Sequence, residues 1–163
     1  MVCSWLWSTW VKTPALRGAD LLIASACLPV VNREVYRRFS EGREVLLACP
    51  EKESSAYYGK IASMVRSVRP KCLTVVTIDG SPHCLALHAS VNEAEYILGE
   101  PILREHYVLV NGNEVIKISP NAVRVARYLS VVNDIIAAND HMLQRLYGLS
   151  EEYRRSLQLK SKV

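Results

Sequence analysis

The chain has no apolar run long enough to cross a lipid bilayer. Its longest apolar stretch, ADLLIASACLPVV (19–31), contains Asp20 and Pro29 and is shorter than the roughly 20 residues that a membrane-spanning helix needs. The first residues, MVCSWLWSTWVK, lack the basic region of a secretory signal. We therefore expect a cytoplasmic protein with reduced thiols and no membrane partner.

Familiar nucleotide-binding and catalytic motifs are also missing. The sequence contains no GxGxxG, no Walker-type GK[ST] and no HExxH. Lysine and arginine are scattered, apart from a small cluster in YRRSLQLKSK, and the net charge is only +4. A nucleic-acid binder usually has a denser basic stripe with interleaved aromatic residues, so we expect no nucleic-acid partner.

Alternating strand-like and helix-like segments predict an α/β fold. With 163 residues, half of them apolar, the chain can form one domain with a substantial core. Three apolar runs of strand length, 19–25, 44–50 and 72–79, are separated by helical patterns at 32–42 and 54–70. Strands that are apolar on both faces are typical of a parallel sheet covered by helices.

The rest of the chain predicts one more helix, a strand or hairpin, and a helical tail. The segment 88–99 has a helical pattern, and Asn111-Gly112 is a turn signal within the strand-like segment 106–118. We divide the chain into an α/β domain with a Trp-rich N-terminal arm (1–118) and a helical extension (119–163). The extension is expected to pack on the same domain or on a second copy in a homodimer.

Three of the five cysteines stand where a predicted strand ends, close to a proline. Cys27 follows the first strand, Cys49 ends the second, and Cys84 follows the third beside His83. Parallel strands have their carboxyl ends on one edge, where open α/β sheets bind ligands, so we expect these four residues near one another. Cys72 begins a strand and is expected at the opposite edge.

These residue types favour a metal site, but two other interpretations stay open. Three thiolates and an imidazole could bind zinc or another soft metal, or hold most of an iron–sulfur cluster. Free cysteines are also common as small buried apolar residues, in which case no site exists. A nucleophilic or redox thiol is the third interpretation, with Cys84 beside His83 and Cys49 near Lys52 as candidates.

Three tryptophans, Trp5, Trp7 and Trp10, lie close together in the N-terminal arm. Their spacing suits a strand or an extended arm that packs on the core. An exposed aromatic patch that binds a partner is the alternative.

Several segments, taken together, resemble a known group of proteins. The segments LRGADLLIASACLPVV, REVLLACPEKES and CLTVVTIDGSPHCLAL are similar to the C-terminal domain of ferredoxin-type, four-iron four-sulfur proteins of anaerobic bacteria and archaea. That domain typically has GADLLIAADCVPFA, VLLIGCPKLDD and SITVVHMEVPCC in this order. The resemblance covers roughly residues 5 to 117 and leaves the helical tail unmatched.

The resemblance implies a cysteine-lined site in an anaerobic redox context. Cys27 matches the cysteine of the first motif, Cys49 that of GCP, and Cys84 the second cysteine of VPCC. The chain departs from the family in two ways: it has no CxxCxxC ferredoxin module, and His83 stands in place of the first cysteine of VPCC.

We therefore expect a three-layer, Rossmann-like α/β domain with a mostly parallel sheet of four or five strands and a C-terminal helical extension. Its predicted function is that of an accessory domain in anaerobic iron–sulfur redox chemistry. Cys27, Cys49 and Cys84, with His83 as a further metal ligand, would bind a cluster or zinc, and a ferredoxin or ferredoxin-domain protein would be the redox partner. The alternative is a non-catalytic interaction module that has lost the site.

Overall fold

A six-stranded sheet forms the centre of the protein. The computed structural model describes residues 4–54, 56–139 and 141–160. In the order of their position in the sheet, the strands are β1 (Ser4–Trp5), β3 (Glu44–Ala48), β2 (Asp20–Ser25), β4 (Cys72–Ile78), β5 (Arg104–Val110) and β6 (Glu114–Ile118). All neighbouring strands are parallel except β5 and β6, which are antiparallel.

The predicted α/β class and mostly parallel sheet are confirmed, although there are six strands rather than four or five. The segment around Asn111-Gly112 is a hairpin, and both residues have positive φ, 48° and 77°. This hairpin adds β6. The Trp-rich arm adds β1, which pairs with β3 over only two residues. The arm then turns, because the Thr9 N–H donates a hydrogen bond to the Trp5 carbonyl.

Four helices connect the parallel strands: α1 (Leu28–Val31), α2 (Arg33–Ser40), α3 (Tyr57–Val68) and α4 (Pro82–Leu98). Asn32 caps α2 by accepting a hydrogen bond from the Val35 N–H, and Gly42 with a φ of 71° follows its end. The serines that open the helical pattern at 54–70 predict a serine N-cap for α3. That prediction is wrong for Ser54, because the N-cap is Ala56; Ser55 lies outside the described residues.

Helix α4 begins six residues earlier than its predicted start at His88. The Ser81 hydroxyl accepts a hydrogen bond from the Cys84 N–H, and Pro82 occupies the first helical turn, where its missing N–H costs nothing. His83 and Cys84 are therefore helical, and do not lie in a loop before the helix. Within the described parts of the chain, no helix is long and apolar enough to cross a membrane.

Apolar side chains cover both faces of the sheet. On one face, Ile23 and Val75 of the sheet pack in a core with residues of α3 and α4, among them Leu87. The other packs against α1 and α2 and includes Leu22 and Val76. Neighbouring residues of one strand thus enter opposite cores, which explains why these strands are apolar throughout.

The chain divides into two compact units, Met1–Val123 and Arg124–Val163. Helix α5 (Pro120–Ala126) spans the boundary, and α6 (Leu129–Ala137), α7 (His141–Leu149) and α8 (Glu151–Lys160) follow. The apolar spacing of the segment 119–140 predicts one helix. The structure interrupts it at Tyr128, whose φ of −111° and ψ of 89° are not helical. None of the described residues of α6, α7 and α8 is buried.

Candidate functional site

The carboxyl ends of β3, β2 and β4 lie side by side and form what we call the carboxyl edge. After β2 the chain passes over one face of the sheet to β3, whereas β4 lies on the other side of β2 and leads into α4 on the opposite face. The gap between the ends of β2 and β4 is therefore a topological switch point. Open α/β sheets bind ligands at such a point.

Cys27 and Cys84 flank the switch point. Cys27 follows β2 as the N-cap residue of α1 and is exposed, and its thiol donates a long hydrogen bond of 3.8 Å to the Ser25 hydroxyl. Cys84 follows β4 in the first turn of α4 and is buried. The two thiols are 57 residues apart in sequence but lie on adjacent strand ends.

Several neighbours hold the sulfur of Cys84 in place. Burial raises the pKa of the Cys84 thiol, and the charge of Cys27 adds a smaller increase. Hydrogen bonds with the Ile78 backbone and with the Ser81 and Thr77 side chains oppose this by lowering the pKa. The effect of Cys27 means that the two thiols are close enough to interact electrostatically.

The two thiols contact two buried hydroxyls, those of Ser25 and Thr77. The β2–β4 register pairs Ala24 with Val76, so Ser25 and Thr77 are the next residues on neighbouring strands, which lie about 4.8 Å apart. Both side chains are buried on the face covered by α3 and α4. Ser25 contacts the Cys27 thiol and Thr77 contacts the Cys84 thiol.

Cys49 lies one strand further along, where a hydrogen-bond network fixes its backbone. Its N–H donates to the Tyr57 hydroxyl at 3.1 Å and to Glu53 Oε2 at 3.5 Å. The Tyr57 hydroxyl in turn donates to Glu53 Oε2 at 2.6 Å. Burial, with the Glu53 carboxylate as the next cause, raises the pKa of Tyr57, which therefore stays neutral and keeps donating this bond.

His83 contacts an acidic side chain of the loop after β3. Its Nδ1 lies 3.8 Å from the Glu51 carboxylate in the loop after β3, and its side chain is about half exposed. This contact links the loops after β3 and β4, on either side of Cys27. His83 and Cys84 are consecutive on α4, so their side chains point about 100° apart, one outward and one inward.

The predicted ligands share the carboxyl edge without enclosing a metal. Among the residues that the structure describes, no group of three or more His, Cys, Asp or Glu side chains could hold a metal ion. The arrangement therefore offers two thiols at the switch point, with Cys49 and His83 on its borders. Metal binding by Cys27, Cys49, His83 and Cys84 stays a prediction.

The tryptophans of the arm are placed beside the same edge. Lys52, in the loop after β3, lies with Nζ 4.8 Å from the Trp5 ring. Trp7 packs edge-on against the Tyr57 ring at 6.0 Å, whereas Trp10 is 64 % exposed. The arm thus packs partly on the core, and its last tryptophan faces solvent.

Two buried histidines were missed by the sequence analysis. His88 Nε2 lies 2.9 Å from the Thr77 hydroxyl, and His88 Nδ1 lies 2.8 Å from His106 Nδ1. The signal was present: His88 is one helical turn beyond Cys84. The position of His88 on the same helix face as Cys84 can be recognised only once α4 is known to begin at Pro82.

Cys72 lies at the opposite edge of the sheet, as predicted. It contributes to a groove of about 400 Å³ that also contains Asp20, Arg43 and Glu105. Burial, with the Glu105 charge as the next cause, raises the pKa of the Cys72 thiol. Because it is separated from the carboxyl edge by the length of β4, Cys72 serves as a control cysteine in the experiments below.

A mostly parallel open sheet with helices on both faces and a switch point between β2 and β4 defines a doubly wound α/β domain. The family model described as "Rossmann-like domain" matches residues 13–161, and the chain belongs to this family. The match includes the helical extension.

One relative of this chain carries the description "Uncharacterized protein". It comes from Archaeoglobus fulgidus and is 32 % identical over 98 residues, which cover 60 % of this chain and 69 % of the relative. No solved structure matches the chain. Neither the family model nor this relative points to ferredoxin-type iron–sulfur proteins. The resemblance to those proteins therefore enters only the proposal below.

Proposed function

We propose that this Rossmann-like protein is an accessory domain of iron–sulfur redox chemistry in the cytoplasm of an anaerobe. Cys27 and Cys84 would be thiolate ligands of a soft metal ion or of an iron–sulfur cluster at the switch point. The observation that carries the proposal is that Cys27 contacts the Ser25 hydroxyl and Cys84 the Thr77 hydroxyl, and that these two hydroxyls stand on neighbouring strands.

The described residues fit part of such a site. A zinc ion or a cluster commonly takes four protein ligands, and the described residues do not bring three together. We therefore propose that a redox partner, such as a ferredoxin or ferredoxin-domain protein, supplies the remaining ligands. The exposure of Cys27 supports this arrangement because a partner can reach it.

The first experiment is metal analysis of protein purified without oxygen, alone and after mixing with a reduced ferredoxin. Absorption spectra and elemental analysis for iron and zinc are recorded for the wild type, Cys27→Ser and Cys84→Ser. The Cys72→Ser variant is the matched control, because it removes a partly buried thiol at the opposite edge. Cys49→Ala tests whether a third thiol takes part.

The expected result is metal bound to the wild type and to Cys72→Ser, but lost from Cys27→Ser and Cys84→Ser. Visible absorption with stoichiometric iron would identify a cluster, and zinc without colour would identify a structural or Lewis-acid site. Metal content that is the same in all variants, or absent from all, would overturn the proposal.

A non-catalytic interaction module is the second candidate, and a specific observation favours it. Trp10 is largely exposed, and α6, α7 and α8 have no buried described residue. Such apolar surface is typical of protein interfaces. This function would use the Trp arm to bind a partner, or the C-terminal helices to form a homodimer. It predicts a metal-free, colourless protein whose Trp10 fluorescence changes with the partner.

A further inference from the structure

We propose that Cys27 and Cys84 form a redox couple that is reversibly oxidised to a disulfide by exchange with a small-molecule or protein disulfide. The inference rests on the same site as the proposed function and names a class of reactant for it. Metal binding is not required for this reaction.

The surroundings of Cys27 and Cys84 support a bond between them. Each thiol contacts one member of the Ser25–Thr77 hydroxyl pair, and these hydroxyls stand on adjacent strands. A disulfide requires the two Cα atoms to be roughly 4.4–6.8 Å apart. Cys27 lies just after β2, and Cys84 lies in the first turn of α4, the helix that follows the neighbouring strand β4. Cys49 follows β3, the other neighbour of β2, and its N–H is bound to Glu53 and to the Tyr57 hydroxyl, so a Cys27–Cys49 bond is the competing outcome in the test below.

The two cysteines differ in access, which assigns their roles. Cys27 is exposed and is the thiol that an external disulfide can reach. Cys84 is 7 % exposed, so it can react only with a sulfur already at the switch point. An exposed attacking thiol beside a buried second thiol favours an internal bond over a lasting mixed disulfide.

The reaction takes place in two exchange steps. The Cys27 thiolate attacks one sulfur of the disulfide RSSR, which forms a Cys27–S–S–R bond and releases RS⁻. The Cys84 sulfur then attacks Cys27 Sγ, which forms the Cys27–Cys84 bond and releases the second RS⁻. The protons of the two thiols pass to the two departing thiolates, so two cysteines are oxidised and one RSSR is reduced to two RSH.

The surroundings of Cys84 hold its sulfur in place for the second step, while burial raises the pKa of the thiol and slows the loss of its proton. Its sulfur develops negative charge as it loses a proton, and it already has hydrogen bonds with the Ile78 backbone and the Ser81 and Thr77 hydroxyls. The Thr77 hydroxyl is itself held by His88 at 2.9 Å. The attacking sulfur is thus positioned before the mixed disulfide forms.

The test uses the full chain, reduced and metal-free, with oxidised glutathione as the probe and a chelator present. Thiol titration, intact mass and peptide mapping follow the reaction. In the wild type we expect the loss of two thiols, a mass lower by two hydrogen atoms, and a linked pair of peptides containing Cys27 and Cys84. Reduction by dithiothreitol should restore both thiols.

Three variants separate the two steps. Cys84→Ser should accumulate the glutathione adduct on Cys27, because the second step is lost. Cys27→Ser should leave Cys84 unmodified in the folded protein, and Cys72→Ser should behave as the wild type. A wild type that keeps glutathione on Cys27, or that links Cys27 to Cys49 instead, would overturn the inference.

The outcomes distinguish this inference from the proposed function. Metal binding that depends on Cys27 and Cys84, without disulfide formation, would overturn the redox couple and leave the proposed function standing. Disulfide formation in a protein that never binds metal would support the redox couple and overturn the proposed function.

Discussion

His88 Nδ1 lies 2.8 Å from His106 Nδ1, and both side chains are buried between α4 and β5. At this distance one Nδ1 must carry the hydrogen and the other must accept it, so the two rings have complementary tautomers. Burial, with His106 as the next cause, lowers the pKa of His88 to about 3. At a pH between about 3 and 6.5, His88 is therefore neutral in the folded protein but protonated in the unfolded chain.

We expect the protein to lose stability as the pH falls below neutrality. The pKa of His88 is 6.5 in its ordinary state and about 3 in the folded protein, so between these values the unfolded chain binds the extra proton. The stabilisation is complete above pH 6.5 and decreases as the pH falls toward 3, by up to about 1.4 kcal/mol per pH unit. Urea denaturation across this range measures the slope.

The contribution of His88 can be isolated with two variants. His88→Gln removes the buried imidazole and should flatten the dependence of unfolding free energy on pH. His83→Gln alters an exposed histidine near the start of the same helix and should keep the wild-type slope. Equal slopes in the wild type and His88→Gln would show that His88 is not the responsible group.

Tyr57→Phe should destabilise the protein by about 1–3 kcal/mol, because a buried hydroxyl with two hydrogen bonds is lost. Its oxygen accepts from the Cys49 N–H and donates to Glu53. The neighbouring variant Tyr58→Phe is the matched control, since that ring is 47 % exposed, and it should stay within about 0.5 kcal/mol of the wild type. Chemical denaturation measures both; similar values for the two variants would contradict the prediction.

Asn32 has two separable roles. Its Oδ1 accepts from the Val35 N–H and caps α2, and its Nδ2 donates to the Gly112 carbonyl, 80 residues away, in the β5–β6 turn. Asn32→Asp keeps the cap and should cost about 1 kcal/mol, the value of a lost hydrogen bond. Asn32→Ala loses both bonds and should cost about 2 kcal/mol. An unfolding free energy for Asn32→Asp that is lower than that for Asn32→Ala would contradict the assignment of two separate roles to Asn32.

Ser81→Ala should weaken the start of α4, at a cost of about 1 kcal/mol. The Ser81 hydroxyl accepts from the Cys84 N–H and also contacts the Cys84 sulfur. Ser54→Ala removes a hydroxyl that accepts from the Ala56 N–H without capping a helix, so it should cost less than about 0.5 kcal/mol. Hydrogen exchange at the first turn of α4 would rise in Ser81→Ala alone; an unchanged rate would count against the cap.

Much of the fold could be predicted because its signals are local. A parallel strand covered on both faces must be apolar at consecutive positions, as β2 and β4 are, and this pattern is visible without tertiary information. Asn32 caps and Gly42 stops α2 for reasons that lie within a few residues. The start of α4 was missed because its apolar spacing is weak in the first turn, although Ser81-Pro82 is a local start signal.

The sequence by itself determined β2, β3 and β4, and that Cys27, Cys49 and Cys84 follow them in this order. Parallel strands then bring these cysteines to one edge. Only the tertiary structure decided that β2 and β4 are neighbours, that Ser25 and Thr77 stand side by side, and that His83 contacts Glu51. Strand order, register and helix rotation depend on the packing of the whole domain, and no single segment carries that information.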